Sequence, residues 1–569
     1  MRITTKVIQN NSLNNINTNK LLQDKLSQQM STEKKVTRPS DDPIVAIRAL
    51  RLRTNVNQIT QYYEKNVPDA ESWLEVTEGA LSSMSEVITD MIAQCTKGSN
   101  EDLTTDDRNT ILTALKALRD EVYSTGNSDY AGRYVFTGYR TDTPLTFTES
   151  TKQSYSITEQ ADKNKIDTVT YVEKGELLDI DETNFMEDGI SDVNPPDLDA
   201  NEKEYANVKE QEVVQLEVHR IRLSYEDVMA AADADGNPIV DNNKIDIGIE
   251  VFDRAEVQPD GSTKLIFSDI ADVIQGVTYK ITSIYDDPNP YEQMTAKDAN
   301  GNLMHTDENT ILLVKETGEL LLGDNVYNEL MAKKDEPGTS YNEGEIRLRY
   351  KKEDWKDGDL KPEHYFACST VTKENQKIDY NGDYLQGISD EDKQTIEYDV
   401  GLNQVIRVNT TADEVFRHDI GRDVDDLIQS LEDTIAMEKQ ITKFKKMLEE
   451  NTNNDYTPIL ENQIAAMEKA FTFLNEKTQQ LFEGGITKMQ SHLDAVNFAV
   501  TENGTRGQKL ELISNRLMSQ KTNFETLKSE NEDIDITDVA IKLSSAELTY
   551  SSALMATGKV LQNNLMNFI

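Results

Sequence analysis

An apolar stripe with helical spacing sets the strongest limit on what this chain can fold into. Its members recur at intervals of three or four residues, and they are Trp73, Thr77, Ala80, Met84, Val87, Met91 and Cys95. An α-helix has about 3.6 residues per turn, so this spacing places them all on one face. The pattern predicts an amphipathic helix of about seven turns, with Gly98 as the residue that caps its C-terminus.

A second helix is expected directly after the first. Asp106 and Asp107 follow Thr105, in the first turn where the helix dipole favours negative charge. Apolar residues then recur at helical spacing up to Gly126, and they are Ile111, Leu115, Leu118 and Val122. The two segments together predict an antiparallel helical hairpin. Long polar helices are also predicted over about 422–530, with an interruption at 451–455 where turn-forming residues cluster.

Both ends of the chain carry helical patterns that lack a partner close in sequence. The C-terminal stripe consists of Ile536, Leu543, Tyr550, Leu554, Leu561, Leu565 and Phe568. It predicts a helix that starts near Thr537, with Thr537 as the N-cap. The N-terminal segment has a shorter stripe of Leu22, Leu26 and Met30. An isolated amphipathic helix is unstable, so the two ends are expected to pair with each other or with other subunits. Ordinary packing that closes one domain explains the same pattern.

The middle of the chain differs from both ends in charge and in period. The formal net charge of the 569 residues is −44, and residues 151–400 hold 57 acidic and 25 basic residues, a net of −32. Short apolar runs such as 264–268 and 345–350 lie between turn signals such as Asp260–Gly261 and Thr317–Gly318. Residues 150–378 are therefore predicted to form a β-rich insertion, as one module or as two small ones.

The composition excludes several classes of protein. The strong negative charge argues against a nucleic-acid binder, which needs Lys and Arg to neutralise phosphates. No apolar run reaches the roughly 18 residues of a membrane span, and the N-terminus has no apolar segment typical of a secretory signal peptide. Two cysteines, Cys95 and Cys368, are too few for a disulfide-stapled scaffold. No membrane partner and no nucleic-acid partner is expected.

Motifs for catalysis and metal binding are missing from the sequence. The five histidines stand in no His-Glu-x-x-His arrangement, and neither a Walker phosphate loop nor a Gly-x-Ser-x-Gly elbow occurs. Residues 233–237 resemble the start of a calcium loop, but Pro238 and Lys244 stand where the loop needs glycine and glutamate. A β-turn is the prediction there. Cys95, on the apolar stripe, is predicted to be buried. No enzyme activity, cofactor or metal is expected.

Residues 38–43 have the features of a tight corner between the N-terminal helix and the helix that follows it. Pro39 is expected to end the first helix because proline removes a donor and restricts the residue before it. Asp42 is the predicted N-cap of the next helix, and Pro43 suits its first turn. Such a corner serves equally as a purely structural turn or as a loop that docks on a neighbouring subunit.

Several segments of the chain resemble one known family. Residues Met30–Pro43 look like the signature of hook-associated protein type 3, the hook–filament junction family of the bacterial flagellum. Flagellins are similar here, but they carry Asp-Asp-Ala-Ala-Gly where this chain has Asp-Asp-Pro-Ile-Val at 41–45. The other segments that resemble the family are Thr77–Leu81, Gly132–Thr141, Tyr380–Asp383 followed by Asp413–Phe416, and Asp538–Ile569.

The resemblance implies an architecture and a division of the chain. The fold is expected to be mainly α and flagellin-like, with an inserted β-rich region. Residues 1–36 and 535–569 would form an inner layer of terminal helices paired as a coiled coil. Residues 37–149 and 379–534 would form a helical layer with a β-hairpin, and residues 150–378 would form an acidic outer β domain. The insertion and the helical stretch around 435–482 are long for the family.

The resemblance also implies a function and partners. The expected role is a structural subunit that joins the hook side of the junction to the filament and is exported to the flagellum without a cleaved signal peptide. Expected partners are neighbouring copies, the other hook-associated junction protein, flagellin, and an export chaperone at the C-terminal helix. The candidate contact residues are Arg38, Pro39, Asp41, Asp42, Pro43, Arg133, Tyr134, Phe136, Tyr139, Leu543, Tyr550, Leu554, Leu561, Leu565 and Phe568.

Two alternatives to the junction role stay open at this point. A divergent flagellin would form the filament itself, although Pro43 and the form of the segment 132–141 argue against it. An extracellular adhesin would bind through the inserted domain.

Overall fold

The computed structural model describes most of the chain. The described residues are 5–100, 102–173, 210–230, 247–257, 259, 263–285, 289–297, 303–305, 308–332, 344–371, 376–386, 394–450 and 457–562. The stretch 233–237, which resembles a calcium loop, lies outside them.

Helices dominate both ends of the chain, as the apolar periods predict. The helices are α1 Thr5–Thr32, α2 Pro43–Gln61, α3 Val67–Gly98, α4 Thr105–Thr125, α5 Ile270–Val273, α6 Asp324–Ala332, α7 Ala412–Val415, α8 His418–Glu450, α9 Thr457–Glu532 and α10 Ile536–Gln562. A π-helical segment, Tyr62–Asn66, joins α2 to α3. The predicted stripe that begins at Trp73 is therefore part of a longer continuous helical run.

The middle of the chain is β-rich, which confirms the fold class predicted for it. The strands are β1 Asp129–Tyr130, β2 Arg133–Tyr134, β3 Thr151–Ala161, β4 Ile166–Glu173, β5 Val214–Arg222, β6 Val228–Met229, β7 Gly248–Val257, β8 Thr263–Asp269, β9 Thr278–Thr282, β10 Thr295–Lys297, β11 Leu303–His305, β12 Thr310–Val314, β13 Glu319–Leu322, β14 Ile346–Trp355, β15 Ala367–Val371, β16 Lys377–Tyr380, β17 Glu397–Gly401 and β18 Gln404–Arg407. The predicted runs at 264–268 and 345–350 fall in β8 and β14.

The chain divides into two compact units. Unit 1 comprises residues 1–72, 397–407 and 506–569, and unit 2 comprises residues 73–396 and 408–505. The insertion and the helices that flank it thus belong to one unit. The layer boundaries expected from the family resemblance stay a prediction.

In unit 1 the two ends of the chain lie together. Helix α1 packs along α10, and Leu26 of α1 is buried with Val539 and Ala546 of α10. Leu543 packs against this small cluster from α10. The hairpin β17–β18 belongs to the same unit, and Asn66 Nδ2 donates a hydrogen bond of 2.7 Å to the carbonyl oxygen of Asp399 in β17.

In unit 2 four helices pack side by side with alternating directions. Contacts between α3 and α9 include the pair Ser85–Asn497, whose side chains are 3.3 Å apart. Helix α8 pairs with α9 through the buried hydroxyls of Ser430 and Thr478, 2.5 Å apart. Helix α4 packs against α8, and it is tied there by a series of ion pairs. The predicted hairpin partners α3 and α4 thus each pack on a helix from the far end of the chain.

The ends of three helices differ from the prediction. Helix α1 ends at Thr32, and Glu33 has a φ of +58°, so the chain leaves the helix well before Pro39. Asp535, one residue before α10, caps that helix because its Oδ1 accepts hydrogen bonds from the amides of Thr537 and Asp538. Helix α4 begins with a capping box in which Thr104 is the N-cap.

The β-rich middle forms two main sheets. The strand order of the larger sheet is β16-β15-β3-β14-β7-β8, with β6 paired to β14. The strand order of the smaller sheet is β4-β5-β13-β12-β9, in which β9 and β12 run parallel. Among the strands of the described residues, β10 and β11 pair only with each other. One side of strand β5 faces helix α8, which its arginines contact.

The far ends of α8 and α9 pack on the smaller sheet. Val172 of β4 and Val213 beside β5 share one buried cluster with Phe444 and Met447 of α8 and Met467 of α9. The extended helices bury an apolar tip that would otherwise face water, and the inserted sheet covers it.

Candidate interaction surfaces

The corner before α2 has the cap that the sequence predicts. Asp42 is the N-cap, and its Oδ1 accepts hydrogen bonds from the amides of Ile44 at 3.1 Å and Val45 at 3.2 Å. Pro43 occupies the first helical position, where its missing amide hydrogen costs nothing. These contacts hold the start of α2 rigidly against the loop.

The outer side of the corner is exposed. Arg38, Pro39 and Asp41 face solvent, and the carboxylate of Asp41 accepts a hydrogen bond of 3.1 Å from the Arg38 amide. The corner is therefore an ordered protrusion of unit 1.

The end of α9 anchors this corner. Glu532 is almost fully buried and receives two hydrogen bonds from the Arg53 guanidinium, at 2.7 and 2.6 Å. The Glu532 carbonyl oxygen also accepts from the Lys35 amide at 2.7 Å, and Lys34 forms an ion pair with Asp533. A bidentate arginine–carboxylate pair fixes orientation as well as distance. Sequence analysis missed this pairing because its partners are more than 470 residues apart.

The segment Gly132–Arg140 begins as a tight hairpin. Strands β1 and β2 are joined by Ala131 and Gly132, both of which have positive φ values, +52° and +77°. The guanidinium of Arg133 lies 4.9 Å from the ring centre of Trp73 and 5.4 Å from that of Tyr130. Arg133 is thus engaged with aromatic rings of its own chain, and the Tyr134 side chain is half-buried.

The rest of that segment turns inward before it returns to the surface. Phe136 is 1% exposed, and its ring lies edge-on to Phe416 at 4.7 Å between centres. It is a core residue, so the prediction that Phe136 contacts another subunit is wrong. Tyr139 is exposed, and its amide donates a hydrogen bond of 3.1 Å to Gln394 Oε1. Tyr139 is therefore the aromatic residue of this segment that can reach a neighbour.

Amide side chains join segments that the sequence shows only as separate motifs. Gln394 Nε2 donates to Asn381 Oδ1 at 3.2 Å and to the Tyr384 hydroxyl at 2.9 Å. Asn381 Nδ2 donates to the carbonyl oxygen of Glu363 at 2.7 Å. Asn409 Nδ2 donates to the Gln394 carbonyl oxygen at 2.7 Å. The segments 132–141, 380–383 and 409–416 thus meet at the base of the insertion. Sequence analysis did not select Gln394 or Asn409.

Buried arginines tie the insertion to helix α8. From β5, Arg222 reaches Asp423 at 2.7 Å and Asp426 at 2.6 Å. Arg220, two residues earlier on the same face of the strand, reaches Asp426 at 2.6 Å and also pairs with Glu319 of β13. We call these residues the arginine–aspartate network. Along this part of the contact between β5 and α8, buried charged side chains take the place of apolar ones.

About one helical turn before Asp426, the pairing has the opposite sense: the arginine belongs to α8 and the carboxylate to the insertion. Arg422 of α8 points into the insertion, where it donates to Glu226 at 2.6 Å and to the carbonyl oxygen of Leu223 at 3.2 Å. Breaking a buried pair by removing one partner leaves an uncompensated charge. Each of these residues therefore constrains how the insertion sits on α8.

The network changes the ionisation of its acids. Burial by itself would raise the pKa of the Asp423 carboxyl. The hydrogen bond from His492 and the charges of Arg222 and Lys488 outweigh that effect and hold the pKa well below its usual range. Asp426 behaves in the same way, and its pKa is lowered chiefly by the neighbouring arginines against the cost of burial.

The terminal-helix candidates differ in exposure. Leu543 and Tyr550 are half-buried in α10, and Leu554 is exposed. Leu561 belongs to the last turn of α10, and Leu565 and Phe568 lie outside the described residues. The residues that α10 buries most against α1 are Val539 and Ala546. Small and β-branched side chains allow close helix contact, so counting only large apolar residues misses them.

The described part of the chain supplies no site for metal chemistry. No three His, Cys, Asp or Glu side chains among its residues are placed to hold an ion. Both cysteines are buried, and burial raises the pKa of the Cys95 thiol to about 12. Within the same residues, no helix combines the length and the hydropathy that a bilayer crossing requires.

Comparisons with known proteins agree with the sequence motifs. Residues 3–141 match the family model of the bacterial flagellin N-terminal helical region. Over 143 residues, a quarter of its length, the chain is 35% identical to flagellar hook-associated protein 3 of Salmonella typhimurium, and the match covers 45% of that protein. Over 169 residues, 29% of its length, it is 32% identical to the Escherichia coli protein of that name, of which 53% is covered. The resemblance to hook-associated protein 3 is thereby confirmed.

These matches are partial. The chain spans about half the length of the curated relatives that it matches. Among solved structures, a putative flagellar hook-associated protein from Vibrio parahaemolyticus aligns with 87% of this chain and with all of its own chain. That alignment has 12% sequence identity and a TM-score of 0.31, which is too low to establish a shared fold.

Proposed function

We propose that this chain is a structural subunit of the bacterial flagellum that joins the hook side of the hook–filament junction to the filament. The observation that carries the proposal is the 35% identity over 143 residues with a flagellar hook-associated protein 3. The paired chain ends support it, because a subunit that assembles through its termini needs both of them at one place. The protein then lies outside the cell, in the flagellum.

The terminal helices act as the assembly adaptor in this proposal. Val539, Leu543 and Ala546 of α10 face α1. Ile541, Leu548 and Met555 recur every seven residues on the opposite side, and all of them are exposed. A helix with two apolar faces covers one within the monomer and has the other for helices of adjacent copies. Burying that second face stabilises the assembly through the hydrophobic effect.

The corner and the exposed end of the hairpin segment provide further contacts. Arg38, Pro39 and Asp41 are exposed in unit 1, and Tyr139 is an exposed aromatic residue of the segment 132–141. Partners at these surfaces are adjacent copies, the second junction protein and flagellin. Before export, a chaperone covers the C-terminal helix, including Leu554, Leu561, Leu565 and Phe568. The insertion faces solvent, where its negative charge is hydrated.

Labelling on cells tests the role. Antibody against residues 150–378 is applied to flagellated cells that produce this chain, and the cells are imaged by electron microscopy. A single short band between hook and filament is the expected result. Label along the whole filament would instead make the chain a flagellin, the second candidate, which the match of residues 3–141 to the flagellin family model favours. Unlabelled flagella contradict both roles.

Substitutions on the outer face of α10 test the adaptor mechanism. The double variant Leu548→Ser and Met555→Ser leaves the packed face intact, so the monomer stays folded while the band at the junction disappears. Leu402→Ser, at the exposed tip of the β17–β18 hairpin in the same unit, is the matched control and keeps the band. Polar replacements at Leu554, Leu561 and Leu565 test the remaining part of the helix. Intact assembly in these variants rules out the terminal-helix mechanism.

A further inference from the structure

Helix α2 carries an apolar face that unit 1 leaves uncovered. Ile44, Ile47 and Leu50 follow one another at intervals of three residues, and they are 72%, 55% and 60% exposed. The opposite face of the same helix is buried through Val56 and Ile59. Isolated exposed aliphatic residues are common on protein surfaces, but three large ones within two turns mark a contact site.

The same face is basic. Arg48 and Arg51 lie between the aliphatic residues on the exposed side, and helix α2 contains no acidic residue. Neither arginine has a hydrogen-bond or ion-pair partner within the described ranges. Arg53, on the other side of the helix, is held by Glu532. Two arginine heads are thus available beside apolar surface, in a chain whose formal net charge is −44.

The exposed aliphatic residues and the two arginines of α2 indicate what kind of surface binds there. We infer that the α2 face, defined as Ile44, Ile47, Arg48, Leu50 and Arg51, docks on an acidic surface of a second copy of this chain. A basic and apolar face fits a partner that is acidic, and each further copy brings such a surface with it. The inference rests on the proposed function, because it names the partner of the assembly surface that begins at the corner.

The charge of the face also determines the symmetry of the contact. A two-fold contact of α2 with α2 would bring Arg48 and Arg51 of both copies together, and like charges at an interface disfavour it. The face must therefore meet a different surface on the next copy. Such a heterologous contact builds rings or open helical assemblies rather than closed dimers.

Sedimentation velocity on the purified full-length chain tests the docking. The wild type is expected to self-associate at physiological salt, where the screening length of about 8 Å weakens the repulsion between net-negative copies but not the close contact of Arg48 and Arg51 with carboxylates. Two double variants, Ile47→Ser with Leu50→Ser and Arg48→Glu with Arg51→Glu, are each expected to weaken association at least about tenfold. Controls are Phe498→Ser on α9 and Lys446→Glu on α8, both exposed and both in unit 2. Wild type that stays monomeric, or variants that associate like wild type, overturn the inference.

Mixing the charge-reversed variant with wild type tests the symmetry. A copy with Arg48→Glu and Arg51→Glu keeps its acidic surface and loses its basic face, so it ends a growing assembly and shortens the wild-type species. If α2 met α2 instead, the reversed copy would pair one-to-one with wild type more tightly than wild type pairs with itself. That outcome would falsify the heterologous contact.

The junction role and the α2 docking face can be disproved independently of each other. A band at the junction together with unchanged association of the α2 variants leaves the junction role intact and removes the docking face. Loss of association in the α2 variants, with no label on the flagellum, keeps the docking face and removes the junction role.

Discussion

At the scale of single residues, two positions that the sequence suggests are helix caps require glycine because a side chain from elsewhere in the fold approaches the backbone closely. Gly98 ends α3, and a Cβ atom there would lie 2.4 Å from Cδ1 of Phe482 on α9. Gly126 follows α4, and a Cβ atom there would lie 2.5 Å from Cδ2 of Leu145. Neither glycine has the positive φ of a left-handed cap. Glycine is required at both positions because another side chain occupies the space that a Cβ atom would take.

Alanine substitutions in α3 test that explanation. Gly98→Ala is expected to lower the free energy of unfolding by about 1–3 kcal/mol, because the added methyl group overpacks a buried ring. Gly79→Ala, in the same helix, has no neighbouring atom within 4 Å and is expected to be neutral or to stabilise by up to about 1 kcal/mol. Urea unfolding followed by circular dichroism measures both. Equal effects at the two positions would contradict the packing explanation.

Residue-scale prediction succeeded where the partner is local. Asp42 caps the helix that begins at the next residue and binds amides two and three residues further on, so the sequence pattern is sufficient to identify it. The sequence offers Phe136 as a contact residue, whereas the structure buries it, because nothing local in the sequence shows that Phe416 covers it. The sequence does not single out Gln394 and Asn409, because polar residues in the segments between helices and strands follow no hydrophobic periodicity.

At the scale of elements, α8 and β5 are held together by charge. Asp423 contacts Arg222 of β5 and also Lys488 and His492 of α9, at 2.7, 2.9 and 3.2 Å. The network thus joins the insertion to two helices at one carboxylate. The sequence predicts a β-rich middle and both helices but gives no sign that β5 and α8 meet, because opposite charges 200 residues apart have no recognisable spacing.

The acid dependence of stability tests this network. The folded-state pKa of Asp423 is depressed, so its stabilising effect is fully present above the unfolded-state value of about 3.9 and is lost as the pH falls below it. Asp423→Asn is expected to cost about 3–5 kcal/mol at neutral pH and to flatten the loss of stability on the acid side. Asp120→Asn, beside Arg119 on the surface, should change stability by less than about 0.5 kcal/mol. Thermal unfolding at several pH values distinguishes these outcomes, and an unchanged acid profile in Asp423→Asn contradicts the assignment.

The helical tip and the smaller sheet are expected to stabilise each other. Phe444 of α8 is 1% exposed in the cluster that contains Val172 and Val213. Phe444→Ala should therefore destabilise by about 3–5 kcal/mol and should also increase hydrogen exchange in β4 and β5. Phe498→Ala on α9 is the control, because that ring is 71% exposed. If exchange rises only in α8 and α9, the sheet does not depend on the tip.

At the scale of the whole molecule, charge is the dominant property. The formal net charge of −44 opposes compaction through self-repulsion. Salt screens repulsion between exposed charges much more than it weakens buried pairs such as Arg222–Asp423. The midpoint of thermal unfolding is therefore expected to rise by a few degrees when salt is added at neutral pH. A neutral osmolarity control, sucrose at the same osmolality, separates screening from solvent exclusion. A fall in the midpoint with salt would mean that exposed ion pairs outweigh the repulsion.

The sequence by itself determined the helices, the β-rich middle, the Asp42 cap and the likeness to hook-associated protein 3. Each of these depends on residues that are close in the chain or on a motif in a fixed order, so period and spacing are enough. The tertiary structure decided that α3 and α4 pack on α9 and α8, that Phe136 is buried, and that the insertion is tied to α8 through Arg222 and Asp423. These depend on side chains that are hundreds of residues apart and meet only when the chain is folded, and no local pattern records such a meeting.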